Sequence, residues 1–185
     1  MSAVDDVVKL FTLHGDSDYG GERVTQLEHA LQAAQLAERE QASCQLIAAA
    51  LLHDIGHLLH ELPDDAPDCG IDDEHEISGY NYLRNSFPEA VAEPIGLHVA
   101  AKRFLCAVDP QYLARLSAPS LTSLNLQGGP MTDEEVERFR RHKYFEDAVR
   151  LRKWDDNAKA PGLETKPLSH FTKYLRLAVD EEGAT

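Results

Sequence analysis

Long apolar runs are missing from this chain. Nowhere do about 18 such residues follow one another, so no segment reads as a membrane-spanning helix. Positive charge is scarce: 18 lysines and arginines face 32 aspartates and glutamates, a formal charge of −14 over 185 residues. That balance speaks against holding a nucleic-acid backbone or an anionic membrane. It has a local corollary. A site for an anionic ligand must overcome a negative field with its own concentrated positive charge, which a metal ion can supply. Cysteine is sparse too. Cys44, Cys69 and Cys106 are an odd set without CxxC spacing, which gives no disulfide framework and reads as reduced thiols in a cytoplasmic protein. The opening MSAVDDVVKLF lacks the basic start and long apolar stretch of a secretory signal. Alternating strand patterns and internal repeats are also absent.

Helical periodicity is what the sequence does contain. The spacing predicts helices over 3–12, 23–40, 44–60, 74–86 and from Pro88 to about Arg103, with Pro94 bending or splitting the last. Asp109-Pro110 suits an N-cap followed by the first helical position. QGGPM (127–131) breaks the chain, Thr132 with Glu135 matches a capping box, and further helices follow over 144–156 and 167–179. The expectation is one all-α domain over residues 1–185, with a glycine-bearing mobile loop at 15–22 and a frayed tail at 180–185.

Residues 48–57 read AAALLHDIGH. An apolar helix running into His53, Asp54 and His57 needs explaining, because an unpaired buried carboxylate costs several kcal/mol. A divalent metal answers this, and the two oxygens of one aspartate can bridge two ions. Histidines in helical contexts recur at His29, His53, His75 and His98. Any one alone reads as an ordinary surface or core histidine.

H…HD…D is the signature of the HD-domain superfamily. The resemblance implies a first metal held by His29, His53, Asp54 and Asp155, and a second held by Asp54, His75 and His98, inside an HD-type helical bundle. Nitrogen and oxygen ligands do not by themselves choose among iron, manganese, cobalt and zinc. Helical spacing adds cations: His57 lies four residues after His53, Lys102 four after His98, and Arg152 three before Asp155, each one turn from a ligand. Such a set reads as a pocket for a phosphate-like anion.

The segments DYGGERVTQLEH (18–29), HVAAKRFL (98–105), YLARLSAPSLTSLNLQGGPM (112–131) and LRKWDD (151–156) closely resemble the small HD-domain mixed-valent diiron oxygenases that degrade organophosphonates. That resemblance implies two iron ions, Fe(II)/Fe(III), with O2 as co-substrate. It implies a small hydroxyphosphonate substrate, 1-hydroxy-2-(trimethylammonio)ethylphosphonate or its 2-amino analogue, cleaved at the C–P bond to phosphate and glycine betaine or glycine. It further implies that Tyr19 occupies the second iron until substrate arrives and that Glu22 works with it. His57, Lys102, Arg152 and, by looser match, Ser120 and Ser123 correspond to phosphonate contacts, and Gln26 helps position the ligand. Acids near the pocket mouth, Glu22 and the 64–74 loop, would suit an ammonium headgroup. The rival readings are a dinuclear HD-domain phosphohydrolase acting on a nucleotide or phosphoester, a polyol oxygenase, and a metal-stabilised regulatory domain. The oligomeric state is not legible.

Overall fold

Six of the helices start at a short polar side chain that caps them. Ser2, Thr25 and Thr132 cap α1 (Ala3–His14), α2 (Gln26–Arg39) and α8 (Asp133–Arg140), and each forms a reciprocal capping box with Asp5, Glu28 or Glu135. Ser43 and Ser117 cap α3 (Cys44–Leu52) and α7 (Ala118–Leu126). Asp109 accepts from the Gln111 amide at 2.9 Å, with Pro110 opening α6 (Pro110–Arg115). The remaining helices are α4 (His75–Leu83), α5 (Glu89–Val108), α9 (Phe145–Asn157) and α10 (Leu168–Asp180), and one 3-10 turn spans Ile55–Leu58. The computed structural model describes residues 2–59 and 73–180. Among these, the strand-type pairing is a single antiparallel bridge, Asp18 to Thr25. Cys69 and most of the 64–74 loop lie outside the described residues.

Several boundaries differ from those the periodicity predicts. The 23–40 segment starts its helix three residues later, because Thr25 takes the capping role and Arg23 and Val24 remain in the preceding turn. Pro94 neither splits nor ends α5, which runs unbroken from Glu89 to Val108 with the proline buried inside it. The stretch after Pro110 forms two helices, since Leu116 turns extended and Ser117 caps a new start.

The most consequential difference lies in 44–60. The α-helix stops at Leu52, and His53 and Asp54 pass into the 3-10 turn. At Gly56 a Cβ would stand 2.0 Å from the carbonyl oxygen of His75, so the turn and the start of α4 approach as closely as only glycine permits. The break lets two consecutive residues aim their side chains at one point.

The core has two parts. The larger gathers α3, whose residues Leu46 to Leu52 are all buried, with buried residues from α1, α2, α10, the first half of α5 and Leu151 and Trp154 of α9. The smaller packs the second half of α5 with Tyr112, Leu124, Val136, Phe139 and Ala148. Cys106 is buried there and unpaired. Helices α2, α3, α5 and α9 pack on one another. Far from their shared centre, Glu38 of α2 takes Lys166 Nζ at 2.6 Å and His170 Nε2 and Tyr174 OH at 2.7 Å each, tying α10 to α2. Burial opposes its charge, but those three donors outweigh it and bring its pKa from 4.5 to about 2.

Because that pKa is lowered on folding, Glu38 adds stability fully above its ordinary value and loses it as pH falls towards about 2. Glu38→Gln is expected to cost about 1–3 kcal/mol in urea unfolding at pH 7. The gap to the parent should narrow as pH is lowered from 5 towards about 2.

Candidate metal centre

His29 sits in the second turn of α2, His53 just past α3, and Asp155 in the last turn of α9. All are buried at 1% exposure or less. Their ligand atoms converge. His29 Nε2 lies 3.0 Å from His53 Nε2 and 3.4 Å from both Asp54 Oδ2 and Asp155 Oδ1. His53 Nε2 is 3.3 Å from Asp54 Oδ2 and 3.9 Å from Asp155 Oδ1. Nitrogen and oxygen ligands each about 2.1 Å from one ion stand roughly 3–3.5 Å from one another, so the spacing fits a shared cation.

A second group shares Asp54. His75 Nε2, from the first residue of α4, and His98 Nε2, from mid-α5, are 3.1 Å apart. They lie 3.5 and 3.4 Å from Asp54 Oδ1. One oxygen of Asp54 therefore faces each histidine pair. Oδ1 is buried and has no hydrogen-bond partner among the described residues.

The histidine orientations test whether these residues suit a metal. His29, His53 and His98 donate Nδ1–H to the carbonyls of Ala158, Ala50 and Ile95 at 2.9, 2.9 and 2.7 Å. His75 donates to Asp73 Oδ1 at 2.8 Å. Each Nε2 then presents a lone pair inward. Two such lone pairs about 3 Å apart repel unless a positive charge lies between them. Asp54 is ready for that role. Burial opposes its ionisation, yet His53, His29 and His98 hold its pKa well below the carboxylate range. For Asp155, Arg152 and His29 outweigh burial in the same direction. The two groups, His29, His53, Asp54 and Asp155, and Asp54, His75 and His98, could each hold a metal ion, with Asp54 common to both.

Around this centre the sequence-derived residues fall as follows. The Tyr19 ring lies flat on His29, centroids 3.8 Å apart, with its hydroxyl 3.4 Å from Asp155 Oδ1 and its edge towards His57. It sits in a tight turn, expected to be mobile, that is closed by Tyr19 N to Val24 O and Glu22 N to Tyr19 O. Gly20 and Gly21 supply the positive φ angles of 44° and 78°. Gln26, buried, reaches the Asp18 carbonyl at 3.5 Å and so braces this turn. His57 gives Nδ1 to Asp73 Oδ2 at 2.6 Å and stacks on His75 at 4.1 Å. Lys102 is buried at 3% exposure and donates to Ser123 Oγ at 2.9 Å. Burial first, then repulsion from Arg152, lowers its pKa to about 7. Ser120 is buried in the first turn of α7.

Arg152 is arranged differently from a free anion contact. Its guanidinium pairs with Asp155 Oδ2 at 2.7 Å and with Asp156, and its Nε donates to Tyr112 OH at 3.1 Å. It acts on the centre by fixing a proposed ligand.

Two residues escaped the sequence reading. Asp73 holds both His57 and His75, so of the two described acids of the 64–74 loop, Asp73 and Glu74, the first faces the candidate ligands. Lys159 contacts Ser120 Oγ at 3.2 Å and Glu22 Oε1 at 3.5 Å. The same four-residue step that marks His57 and Lys102 leads from Asp155 to Lys159. The signal was there but lay past the helix end. Asp73→Asn should weaken the ion beside His75 and His98 by about 10–100-fold, so metal analysis after mild chelation should find one ion per chain. Asp54→Asn should lose both.

Residues 26–115 match the HD domain family. The chain is 48% identical over 169 residues to the hydroxymethylphosphonate dioxygenase of Gimesia maris, covering 89% of this chain and 84% of that protein. It is 39% identical over 178 residues to the glycine-betaine-forming 1-hydroxy-2-(trimethylamino)ethylphosphonate dioxygenase of Leisingera caerulea, covering 96% and 91%. No helix among the described residues is long and apolar enough to cross a membrane. With nearly its whole length aligned to two such dioxygenases, and its HD pair inside the matched segment, this protein belongs to the HD-domain phosphonate oxygenase family.

Proposed function

We propose that the protein is an iron-dependent dioxygenase that cleaves the C–P bond of a 1-hydroxyphosphonate. Substrate and O2 together give phosphate and a carboxylic acid: glycine betaine from the 2-trimethylammonio substrate, glycine from the 2-amino one, formate from hydroxymethylphosphonate. The observation that carries this reading is the buried Lys102 of α5 donating to the part-buried Ser123 of α7, one helical turn from His98. A buried ammonium beside hydroxyls suits a tetrahedral oxyanion. A phosphate-free polyol gives it no partner, and a hydrolase has no use for O2.

His29, His53, Asp54 and Asp155 would hold one ion, and Asp54, His75 and His98 the other. Bound as Fe(II) and Fe(III), the pair would supply O2 activation and Lewis acidity. The chain supplies position and charge. Lys102 and Ser123 receive the phosphonate with Ser120 one turn away, and His57 is a further contact to it. Arg152 keeps Asp155 aimed and adds positive charge without reorganising. Tyr19, which the resemblance puts at the second ion, lies over His29 of the first group; substrate entry displaces it, and Glu22 moves with it. Gln26 steadies the turn through Asp18.

The direct test is phosphate release from the three candidate substrates by iron-loaded enzyme, with and without O2. Release equal to O2 consumed, and none under anaerobic conditions, is expected; undiminished anaerobic release would mean a phosphohydrolase. Lys102→Met should raise KM by roughly 10–100-fold, as for a lost charge-assisted hydrogen bond. In the parent, Lys102 carries its charge below about 7. Phosphonate affinity should therefore fall as pH rises above that value, and the Met variant should lose this dependence.

A further inference from the structure

One part-buried cation has no part in the reaction outlined above. Lys159 follows α9, and its side chain is only 14% exposed. Its ammonium joins two segments distant in sequence. On one side is Glu22 Oε1, at 3.5 Å, in the turn that carries Tyr19. On the other is Ser120 Oγ, at 3.2 Å, in the first turn of α7. The ammonium also stands 5.6 Å from the centre of the Tyr19 ring. Glu22 Oε1 is buried and accepts no hydrogen bond among the described residues. The nearby charge of Lys159 is what compensates it. Ser120 and Ser123 are one turn apart, linked by Ser123 Oγ donating to the Ser120 carbonyl at 3.2 Å. Lys102 sits on one serine and Lys159 on the other.

We propose that Lys159 is a positioning residue that latches the Tyr19 turn and is released by the phosphonate. This rests on the reading of the substrate as a phosphonate. In the closed arrangement the Lys159–Glu22 pair holds the turn down, with Tyr19 flat on His29. A phosphonate settling among Lys102, Ser120 and Ser123 brings more negative charge to Lys159 than one carboxylate offers, in the tetrahedral form that an ammonium and two hydroxyls accept. Once Lys159 turns to the phosphonate, Glu22 is left buried without a cation, which is costly. The turn then lifts, and Tyr19 leaves with it. Gly20, at φ 44° with open space on its Cβ side, lets the backbone move without a clash. A neutral ligand cannot compete for Lys159 and leaves the turn shut.

The test uses iron-loaded enzyme without O2, with hydroxymethylphosphonate and inorganic phosphate as probes. Hydrogen exchange of residues 16–26 reports the turn, whose amides at Tyr19, Glu22 and Gln26 are bonded in the closed form. In the parent, saturating probe should speed this exchange about tenfold. Lys159→Gln and Glu22→Gln should show the fast exchange without ligand, and ligand should add nothing. Affinity separates the two variants. Lys159→Gln should bind the probes about tenfold more weakly, whereas Glu22→Gln, freed of the competing carboxylate, should bind as tightly as the parent or more so. Lys159→Arg should restore the ligand response. If probes bind and the C–P bond is cleaved, yet exchange in the turn is the same in parent and variants, the latch is refuted and the enzymatic reading stands. If no hydroxyphosphonate is bound or cleaved, both fall.

Discussion

A carboxylate enclosed by four imidazoles sets the terms for this molecule. Asp54 directs one oxygen to His29 and His53 and the other to His75 and His98. Charge of that kind in the interior is tolerable only with compensation. The surrounding architecture follows from that need. Helix α3 must end at Leu52, so that His53 and Asp54 can point together. Gly56 must lack a side chain, so that His75 can come close. Helices α2, α5 and α9 must then pack against α3 at the depth where their own ligands meet it.

Main-chain carbonyls contribute as much as side chains. Ala158, Ala50 and Ile95 each accept an Nδ1–H and thereby fix both the tautomer and the tilt of a ring. These acceptors sit at or near helix ends or one turn back along a helix, so the bundle aims its own ligands. Asp73 does the same for His75. Positive charge is concentrated against the acidic average of the chain. Lys102, Arg152 and Lys159 lie at 3%, 4% and 14% exposure, while the formal charge overall is −14. Gathered in one place, these few cations oppose the acidic average of the chain, which is how a strongly acidic protein can draw in an anion.

Much of this was legible in one dimension. The all-helical class follows from periodicity and caps, and Thr132–Glu135 and Asp109-Pro110 start helices where their chemistry says. HD is an unusual ending for an apolar helix, and the six candidate ligands could be named because H…HD…D resembles the HD-domain signature. Other features were hidden for definite reasons. The end of α3 at Leu52 was missed because AAALLHDIGH has no strong breaker before Gly56, and the break comes from contact with His75, a residue nineteen positions further on. Pro94 was expected to disturb α5, but packing on both sides holds the helix through it. Arg152 looked like an anion ligand from spacing alone. Its engagement with Asp155, Asp156 and Tyr112 depends on a second helix, α6, that spacing cannot see.

By itself the sequence determined the kinds of atoms available to the centre, the helices that carry them and the sign of the field they must overcome, since these depend on local periodicity and composition. Tertiary structure alone decided which oxygen of Asp54 meets which histidines, that Asp73 turns inward, and that Lys159 reaches Glu22 across more than a hundred residues of chain. Those pairings are distances between segments far apart in sequence, and only the packing of helices in three dimensions fixes them.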